Sequence, residues 1–315
     1  MDKLKIFPST VINFHTIYDQ HWMDSIFNLL KRIYNIVPLS ELESYYYEDN
    51  KRLNNACHIT FDDGDINFFE IVYPLLKKHK LPVSVYVSPK AAKEQTNFWF
   101  QEIKNYDEKM LLPIIAKNSN LNIADIEGKP ISAIMKSLPI DMILKIIDQY
   151  QYDTKAQIKP PMNMTVNQLK EINNSGLVTL GAHTLNHPIL KNESDEKSRI
   201  EIKHSVEELS NLIETEVICF AYPNGIPFVD YDQREIDYLR DSSIKLAFST
   251  ENGIICKNDN PLSIPRNGIS HGSSSFVITK LLAGKRWDIL KRLLKGKLEE
   301  DYRKELVRKI CTYST

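Results

Sequence analysis

The chain has 315 residues, an apolar fraction of 42% and a net charge of −1, which is the composition of a globular protein. A net charge this close to zero gives no electrostatic attraction to nucleic acid, so we expect no nucleic-acid partner. The four cysteines show no C-x-x-C spacing, which argues against a structural zinc site and against a disulfide scaffold.

No run is long and apolar enough for a signal peptide or a transmembrane helix. The sequence as given therefore predicts a soluble, cytoplasmic protein.

Short β-branched runs alternate with longer amphipathic stretches. Strands are predicted at 10–15, 56–61, 82–87, 177–184, 217–222, 245–250 and 262–266. Helices are predicted at about 66–79, 195–214 and 232–242, and a capping box of Thr165 and Gln168 opens another that stops near Gly176. This alternation indicates parallel strands covered by helices, in an open sheet or a barrel.

Residues 90–162 interrupt the alternation with amphipathic helical segments and the aromatic run Phe98-Trp99-Phe100. One interpretation is a helical insertion that simply covers one rim of the sheet. The other is that its aromatic rings, Trp99 among them, wall a sugar-binding groove. We predict a barrel domain over 1–275 that includes this insertion, followed by a helical extension over 276–315.

Polar motifs follow three of the predicted strands. They are Asp62-Asp63-Gly64, the pair His183 and His187, and F-A-Y-P-N-G at 220–225. A lone histidine is more often structural than a ligand, but one carboxylate and two imidazoles form a three-ligand set for zinc or a similar metal. A second carboxylate beside that set is free to take a proton from water. Pro188 disfavours helical geometry at the preceding histidine, which places the pair on a turn.

These motifs resemble a known family. T-F-D-D-G at 60–64, H-T-x-x-H at 183–187 and F-A-Y-P-N-G at 220–225 look like the first three motifs of the polysaccharide deacetylases, the NodB-homology domain of carbohydrate esterase family four. Their order and spacing match over about 55–270. The resemblance implies an α/β fold with a distorted (β/α)7-type barrel and a divalent metal. Zinc is the expected ion, with cobalt, nickel and manganese as alternatives.

The resemblance also implies roles for individual residues, carried over by matching position. Asp62 resembles the general base, and Asp63, His183 and His187 resemble the metal ligands. The backbone N–H of Tyr222 would help to hold the oxyanion that forms during hydrolysis.

The arginine that many family members use to orient the base is missing, because Ala221 occupies its position. Arg266, in I-P-R-N-G beyond a late strand, is the candidate substitute. The alternative is a surface salt bridge.

The general acid is also displaced from its usual place, because no L-x-H follows residue 250. A circularly rearranged branch of the family, the poly-N-acetylglucosamine deacetylases, has its histidine near the N-terminus. His15, at the end of V-I-N-F-H, resembles that arrangement and is the predicted acid. His271 is the second candidate for the acid, and otherwise a substrate-binding residue together with Trp99 and Tyr222.

Residues 280–309 combine many lysines and arginines with apolar residues at helical spacing. Such a helix either packs its apolar stripe on the barrel or lies on an anionic membrane surface.

The leading hypothesis is a metal-dependent deacetylase that hydrolyses an N-acetyl group, or an O-acetyl group, on a sugar of a surface polysaccharide or its precursor. An N-acetylated carbohydrate is the expected substrate. The alternatives are a related metal-dependent amide hydrolase with a non-sugar substrate and a catalytically inactive carbohydrate-binding relic.

Overall fold

Eight strands form the centre of the fold in the computed structural model, which describes residues 7–313. They are β1 (Thr10–Phe14), β2 (Asn35–Ile36), β3 (Ala56–Phe61), β4 (Val83–Val87), β5 (Val178–Ala182), β6 (Cys219–Ala221), β7 (Leu246–Phe248) and β8 (Asn267–Gly268). The order across the sheet is β7-β6-β5-β4-β3-β1-β8, with β2 paired to β3, and every pairing is parallel.

The two ends of the sheet meet through residues 264–268. Ile264 forms a parallel bridge with Phe248 of β7, and Asn267 of β8 pairs with Ile12 of β1. This short segment curls the sheet into the predicted (β/α)7-type barrel, which is confirmed. The strand predicted at 262–266 is wrong in its position, because Pro265 has no N–H to donate and regular pairing starts only after it.

The first three helices flank the early strands. They are α1 (Gln20–Ile33), α2 (Leu39–Tyr47) and α3 (Tyr73–His79). The helix predicted at 66–79 begins with a π-helical turn at Phe68–Val72, in which the N–H of Tyr73 bonds to the carbonyl of Phe68. Pro74 follows directly and has no N–H for the regular ladder, so α3 begins only beyond this wider turn.

Residues 89–154 form the predicted helical insertion. It contains α4 (Pro89–Glu94), α5 (Trp99–Glu102), α6 (Glu108–Asn118), α7 (Ile123–Ile126), α8 (Ile131–Met135) and α9 (Ile140–Thr154). The insertion has an apolar core of its own, which includes Ile115, Ile126 and Ile146. Helices α5 to α9 therefore pack as a separate layer, whereas Ala92 of α4 belongs to the barrel core.

Three further helices cover the second half of the barrel. They are α10 (Val166–Asn173), α11 (Asp195–Ile213) and α12 (Gln233–Arg240). The predicted capping box is confirmed at α10, where the side chains of Thr165 and Gln168 bond to each other's backbone N–H groups. Inside the barrel, a Cβ at Gly181 would lie 2.5 Å from the ring of Tyr86, so that position on β5 requires glycine.

The C-terminal segment contains three helices, α13 (Ser274–Ala283), α14 (Arg286–Lys295) and α15 (Glu299–Tyr313). Gly284 and Gly296, both with positive φ, interrupt the single helix expected over 280–309. Leu306 of α15 is fully buried in the core of the insertion, which is neither the barrel nor the membrane surface that the sequence offered as alternatives for 280–309. The domain boundary near residue 275 stays a prediction. Within residues 7–313, no helix has both the length and the apolarity needed to cross a bilayer.

Candidate active site

A cavity of about 320 Å³ lies at the carboxyl ends of the barrel strands. His15 follows β1, Asp62 and Asp63 follow β3, and His183 and His187 follow β5. Residues far apart in the sequence meet here because the carboxyl ends of parallel strands share one rim. The remaining wall consists of Trp99, Phe100, Ile103, Ser132, Lys136, Asn224 and Thr250.

Asp62 continues the inward-facing row of β3, since side chains alternate along a strand. His58 and Thr60, the preceding members of that row, are fully buried and bond to the neighbouring strands. His58 contacts Ser84 Oγ at 2.9 Å, and Thr60 Oγ1 donates to the carbonyl of Ile12 at 2.8 Å. The alternation therefore delivers the Asp62 carboxylate to the mouth of the barrel.

Arg266 holds Asp62 through two parallel hydrogen bonds. Its Nη1 donates to Oδ1 at 2.7 Å and its Nη2 donates to Oδ2 at 2.8 Å, while Asn13 Nδ2 donates to Oδ2 at 2.9 Å. The guanidinium lies 5.5 Å from the ring centroid of Tyr86 and is fully buried, so a surface salt bridge is excluded. Such bidentate geometry fixes the plane of the carboxylate.

The same contacts keep Asp62 ionised. Burial alone would raise the pKa of this carboxyl group, but the charges of Arg266 and His183 outweigh burial and lower the pKa below its usual value. An ionised carboxylate can accept a proton, which is the first requirement for a general base.

Asp63, His183 and His187 place one carboxylate oxygen and two ring nitrogens within 4.8 Å of one another. Asp63 Oδ1 lies 3.6 Å from His183 Nε2 and 3.4 Å from His187 Nε2, and all three residues are buried. His183 donates its Nδ1–H to the carbonyl of Ala221 at 2.6 Å, which leaves Nε2 free as a ligand. One oxygen and two nitrogens match a catalytic zinc-type donor set.

A divalent cation fits this cluster. Among the described residues, Asp63 Oδ1 has no hydrogen-bond partner although it is buried, and such an orphaned oxygen is costly without a positive neighbour. Burial opposes ionisation of Asp63, but the two imidazoles hold its pKa well below the usual range. Burial lowers the pKa of His187. At His183 the carboxylates of Asp63 and Asp62 together outweigh burial and raise the pKa. Asp63 and His187 therefore favour their metal-binding forms, and at His183 a cation would displace a proton.

The backbone adopts unusual conformations at two of these three residues. Asp63 has a φ of 74° and His187 a φ of 55°, both in the left-handed region that non-glycine residues rarely enter. Trp99 of the insertion donates its Nε1–H to the carbonyl of His187 at 3.0 Å and so helps to fix that turn.

Glu201 of α11 organises the turn between the two histidines. It is fully buried, and its Oε2 accepts hydrogen bonds from the backbone N–H of Leu185 at 3.0 Å and of Asn186 at 2.9 Å. Nothing in the charged pattern of 195–214 distinguishes Glu201 from its exposed neighbours, so its role could not be predicted from the sequence.

The two candidate acid histidines occupy different places. His15 lines the cavity, with its Nε2 3.9 Å from Asp62 Oδ2 and its side chain 58% exposed. His271 is not among the residues that line the cavity. Its ring lies 5.0 Å from that of Trp22, and its Nε2 contacts Asp19 Oδ2 at 3.3 Å. The structure brings only His15 to Asp62.

Tyr222 presents neither its backbone nor its ring to the cavity. Its N–H, expected to face the oxyanion, donates to the carbonyl of Phe248 at 3.2 Å. Its buried hydroxyl donates to the carbonyl of Leu262, and its ring stacks on Tyr231. Pairing with β7 thus consumes the predicted donor. Asn224, two residues further in the same motif, lines the cavity, and its buried Nδ2 has no partner among the described residues.

The insertion supplies a wall that the sequence could not place. Phe100 lies 4.9 Å from the ring of His187, and Trp99 is also in the wall. Lys136 Nζ donates to Glu299 Oε1 at 2.8 Å, and Ser132 Oγ donates to Glu299 Oε2 at 2.7 Å. A residue of α15 therefore holds two polar residues of this wall.

An ionised, oriented carboxylate beside a three-donor cation site is an arrangement for activating water, so the fold and the site define a barrel hydrolase. The sequence profile of the polysaccharide deacetylases matches residues 49–245, more than half of the chain, and the chain belongs to this family. It is a hydrolase of the class that cleaves the N-acetyl amide bonds of sugars. His15 and Arg266 lie outside the matched range.

Solved structures show the same fold. The chain is similar to IcaB from Ammonifex degensii, with a TM-score of 0.60 and 16% identity over 90% of this chain and 100% of that one. It is similar to the Streptococcus pyogenes deacetylase PplD in complex with acetate, with a TM-score of 0.58 and 17% identity over 87% of this chain and 97% of that one. It is also similar to a de-N-acetylase from Aggregatibacter actinomycetemcomitans, with a TM-score of 0.58 and 17% identity over 86% of this chain and 99% of that one. No curated protein matches the sequence.

Proposed function

We propose that the chain is a metal-dependent deacetylase that hydrolyses an N-acetyl group on a sugar of a surface polysaccharide or of its precursor. The observation that carries this proposal is the buried Arg266–Asp62 pair beside the cluster of Asp63, His183 and His187. The intact arrangement argues against a catalytically inactive relic.

Asp63, His183 and His187 would hold the metal. Their mixed oxygen and nitrogen donors suit zinc, with cobalt, nickel and manganese as alternatives. When bound, such a cation polarises the acetyl carbonyl and lowers the pKa of a water molecule.

The protein side chains then move the protons. Asp62 takes a proton from the water that attacks the acetyl carbon, and Arg266 keeps the carboxylate oriented during that transfer. His15 donates a proton to the nitrogen as the C–N bond breaks, which releases acetate and leaves a free amine on the sugar. Asn224 Nδ2 is the free donor toward the substrate, in place of the occupied Tyr222 N–H.

The insertion wall would bind the sugar. The ring of Phe100 offers apolar surface to a sugar face, and the buried Trp99 packs edge-on against that ring from the cavity wall. Lys136 and Ser132 offer polar groups to the sugar hydroxyls. A site built from aromatic surface and a few placed polar groups favours a carbohydrate over a non-sugar amide.

The test is acetate release from a panel of N-acetylated oligosaccharides and nucleotide sugars, measured together with metal content. The zinc-loaded protein should release acetate, and the chelated protein should not. Asp62→Asn should lower turnover by about 1,000-fold and keep its metal, because this residue accepts a proton. Asp63→Asn should lose the metal. Loss of metal from Asp62→Asn instead would mean that the two aspartates have exchanged roles.

The two histidines provide a matched pair for the acid. His15→Ala should lower kcat by about 100-fold, because the departing nitrogen then lacks a proton donor. His271→Ala should leave kcat unchanged. The opposite result would refute the assignment of His15, and no acetate release from any N-acetylated sugar would refute the proposed function.

A further inference from the structure

The helix α14 turns its apolar side chains outward. Ile289, Leu290, Leu293 and Leu294 are 62%, 42%, 78% and 78% exposed. At about 100° per residue, these four share one face about 140° wide. A surface helix of a globular protein normally buries such a face against the core.

The polar face of α14 attaches it to the rest of the protein. Asp288 accepts hydrogen bonds from the Nδ2 of the buried Asn252 at 2.7 and 2.8 Å. Arg292 contacts Asp301 at 2.9 Å and Glu300 at 3.1 Å. Specific bonds therefore hold the orientation in which the apolar face meets solvent.

The segment that carries this exposed face is rich in basic residues. Residues 280–297 contain one acidic residue, Asp288, and seven basic ones, Lys280, Lys285, Arg286, Lys291, Arg292, Lys295 and Lys297. The chain as a whole carries a net charge of −1, so the basic residues are concentrated here. The neighbouring α15 differs, because its Leu306 is buried in the insertion core.

We propose that α14 docks the protein on the surface of a lipid bilayer that carries anionic headgroups. The leucine face would enter the boundary between headgroups and acyl chains, and the flanking lysines and arginines would meet the negative lipids. A contiguous apolar face preceded by the exposed Lys285 and Arg286 complements such a surface in both respects.

Docking here would bring the bilayer close to the active site. The polar side of α14 contributes Asp288 and Lys291 to a cavity of about 650 Å³. Thr250 lines both this cavity and the catalytic one. The bilayer would lie about one helix diameter, about 10 Å, from the cavity. Delivery of a membrane-attached glycan by this route rests on the proposed function, whereas docking itself does not.

The test is co-sedimentation of the full chain with vesicles of phosphatidylcholine alone or mixed with phosphatidylglycerol. We expect binding to the mixed vesicles that weakens as salt is added, and little binding to phosphatidylcholine. The double variant Leu293→Ser/Leu294→Ser should bind the mixed vesicles at least about tenfold more weakly, because two exposed apolar anchors are lost. Lys285→Gln/Arg286→Gln should also bind more weakly.

The matched control is Tyr152→Ser/Ile158→Ser, which removes two side chains that are 82% and 88% exposed elsewhere. It should bind like the unaltered chain, and thermal unfolding should be the same for both double variants. Asp62→Asn should also bind normally, which separates docking from catalysis. Equal binding by both serine double variants, or no binding by the unaltered chain, would overturn the proposal. A dimer that only Leu293→Ser/Leu294→Ser disrupts, without vesicle binding, would overturn it in favour of a second copy.

Discussion

The barrel rim and the insertion wall use polar residues differently. At the rim, Asp62 is bonded to Arg266, which lies 204 positions away in the chain, and both side chains are buried. In the wall, Lys136 and Ser132 share Glu299 and remain partly open to the cavity. The rim therefore fixes the chemistry through residues that bond to one another, and the wall leaves groups available to a substrate.

The two regions should therefore respond differently to substitution. Substitutions at the rim should affect both stability and turnover, because each group there balances a buried partner. Substitutions in the wall should affect substrate binding and spare the fold.

Arg266→Met should have the largest effect on stability and turnover. It leaves the Asp62 carboxylate buried without its cation, which should lower the free energy of unfolding by about 3–5 kcal/mol. The pKa of Asp62 should rise, so the acid limb of the pH–rate profile moves to higher pH. Urea unfolding and acetate release measure these effects. The control Arg240→Met, at an exposed pair with Asp237, should change stability by less than about 0.5 kcal/mol. Equal effects of the two would contradict this interpretation of the rim.

Glu193 connects the barrel rim to the insertion. Its substitution should have a smaller effect on the free energy of unfolding, and this effect should depend on pH. Glu193 follows the histidine loop and accepts the N–H of Ile140, at the start of α9, at 2.7 Å. Burial raises the pKa of Glu193 to about 7. The folded state therefore favours the protonated form, whose stabilisation is complete below about pH 4.5 and is lost as the pH rises through about 7.

Glu193→Gln should flatten the curve of unfolding free energy against pH across that window by about 3 kcal/mol. Urea unfolding at several pH values measures the curve. Glu196→Gln, an exposed position in the first turn of α11, is the control and should leave the curve unchanged. An unchanged curve in Glu193→Gln would show that the junction does not depend on this proton.

Lys136→Met should have the smallest effect, and this effect should be on substrate binding rather than on turnover or stability. We expect KM for an N-acetylated oligosaccharide to rise by about tenfold with kcat unchanged, because the wall binds substrate without joining the reaction. Steady-state kinetics measure both constants, and Lys145→Met, exposed on α9, is the control. A fall in kcat at constant KM would place Lys136 in the chemical step instead.

Much of the barrel could be predicted because strand ends share one rim. Asp62, Asp63, His183 and His187 follow buried β-branched runs, so topology alone brings them together. Arg266 was already a candidate for orienting Asp62, but the choice between that role and a surface salt bridge needed the structure. Nothing in I-P-R-N-G shows that the segment closes the barrel beside β1.

The wall and the C-terminal helices were harder to predict. Periodicity identifies the apolar face of a helix but not the surface that it meets. For this reason Lys136 and Glu201 were missed, and 280–309 was expected on the barrel or on a membrane surface. Asn224 stood in a quoted motif, but only the structure shows that the Tyr222 N–H is already bonded.

The left-handed backbone at Asp63 and His187 sets stability against function at the same residues. A non-glycine residue in that conformation costs about 1 kcal/mol or more, and glycine at Asp63 would relieve the cost. The relief would also delete the carboxylate from the cation site. Any procedure that selects variants of this chain for heat resistance alone should therefore favour loss of activity at this position.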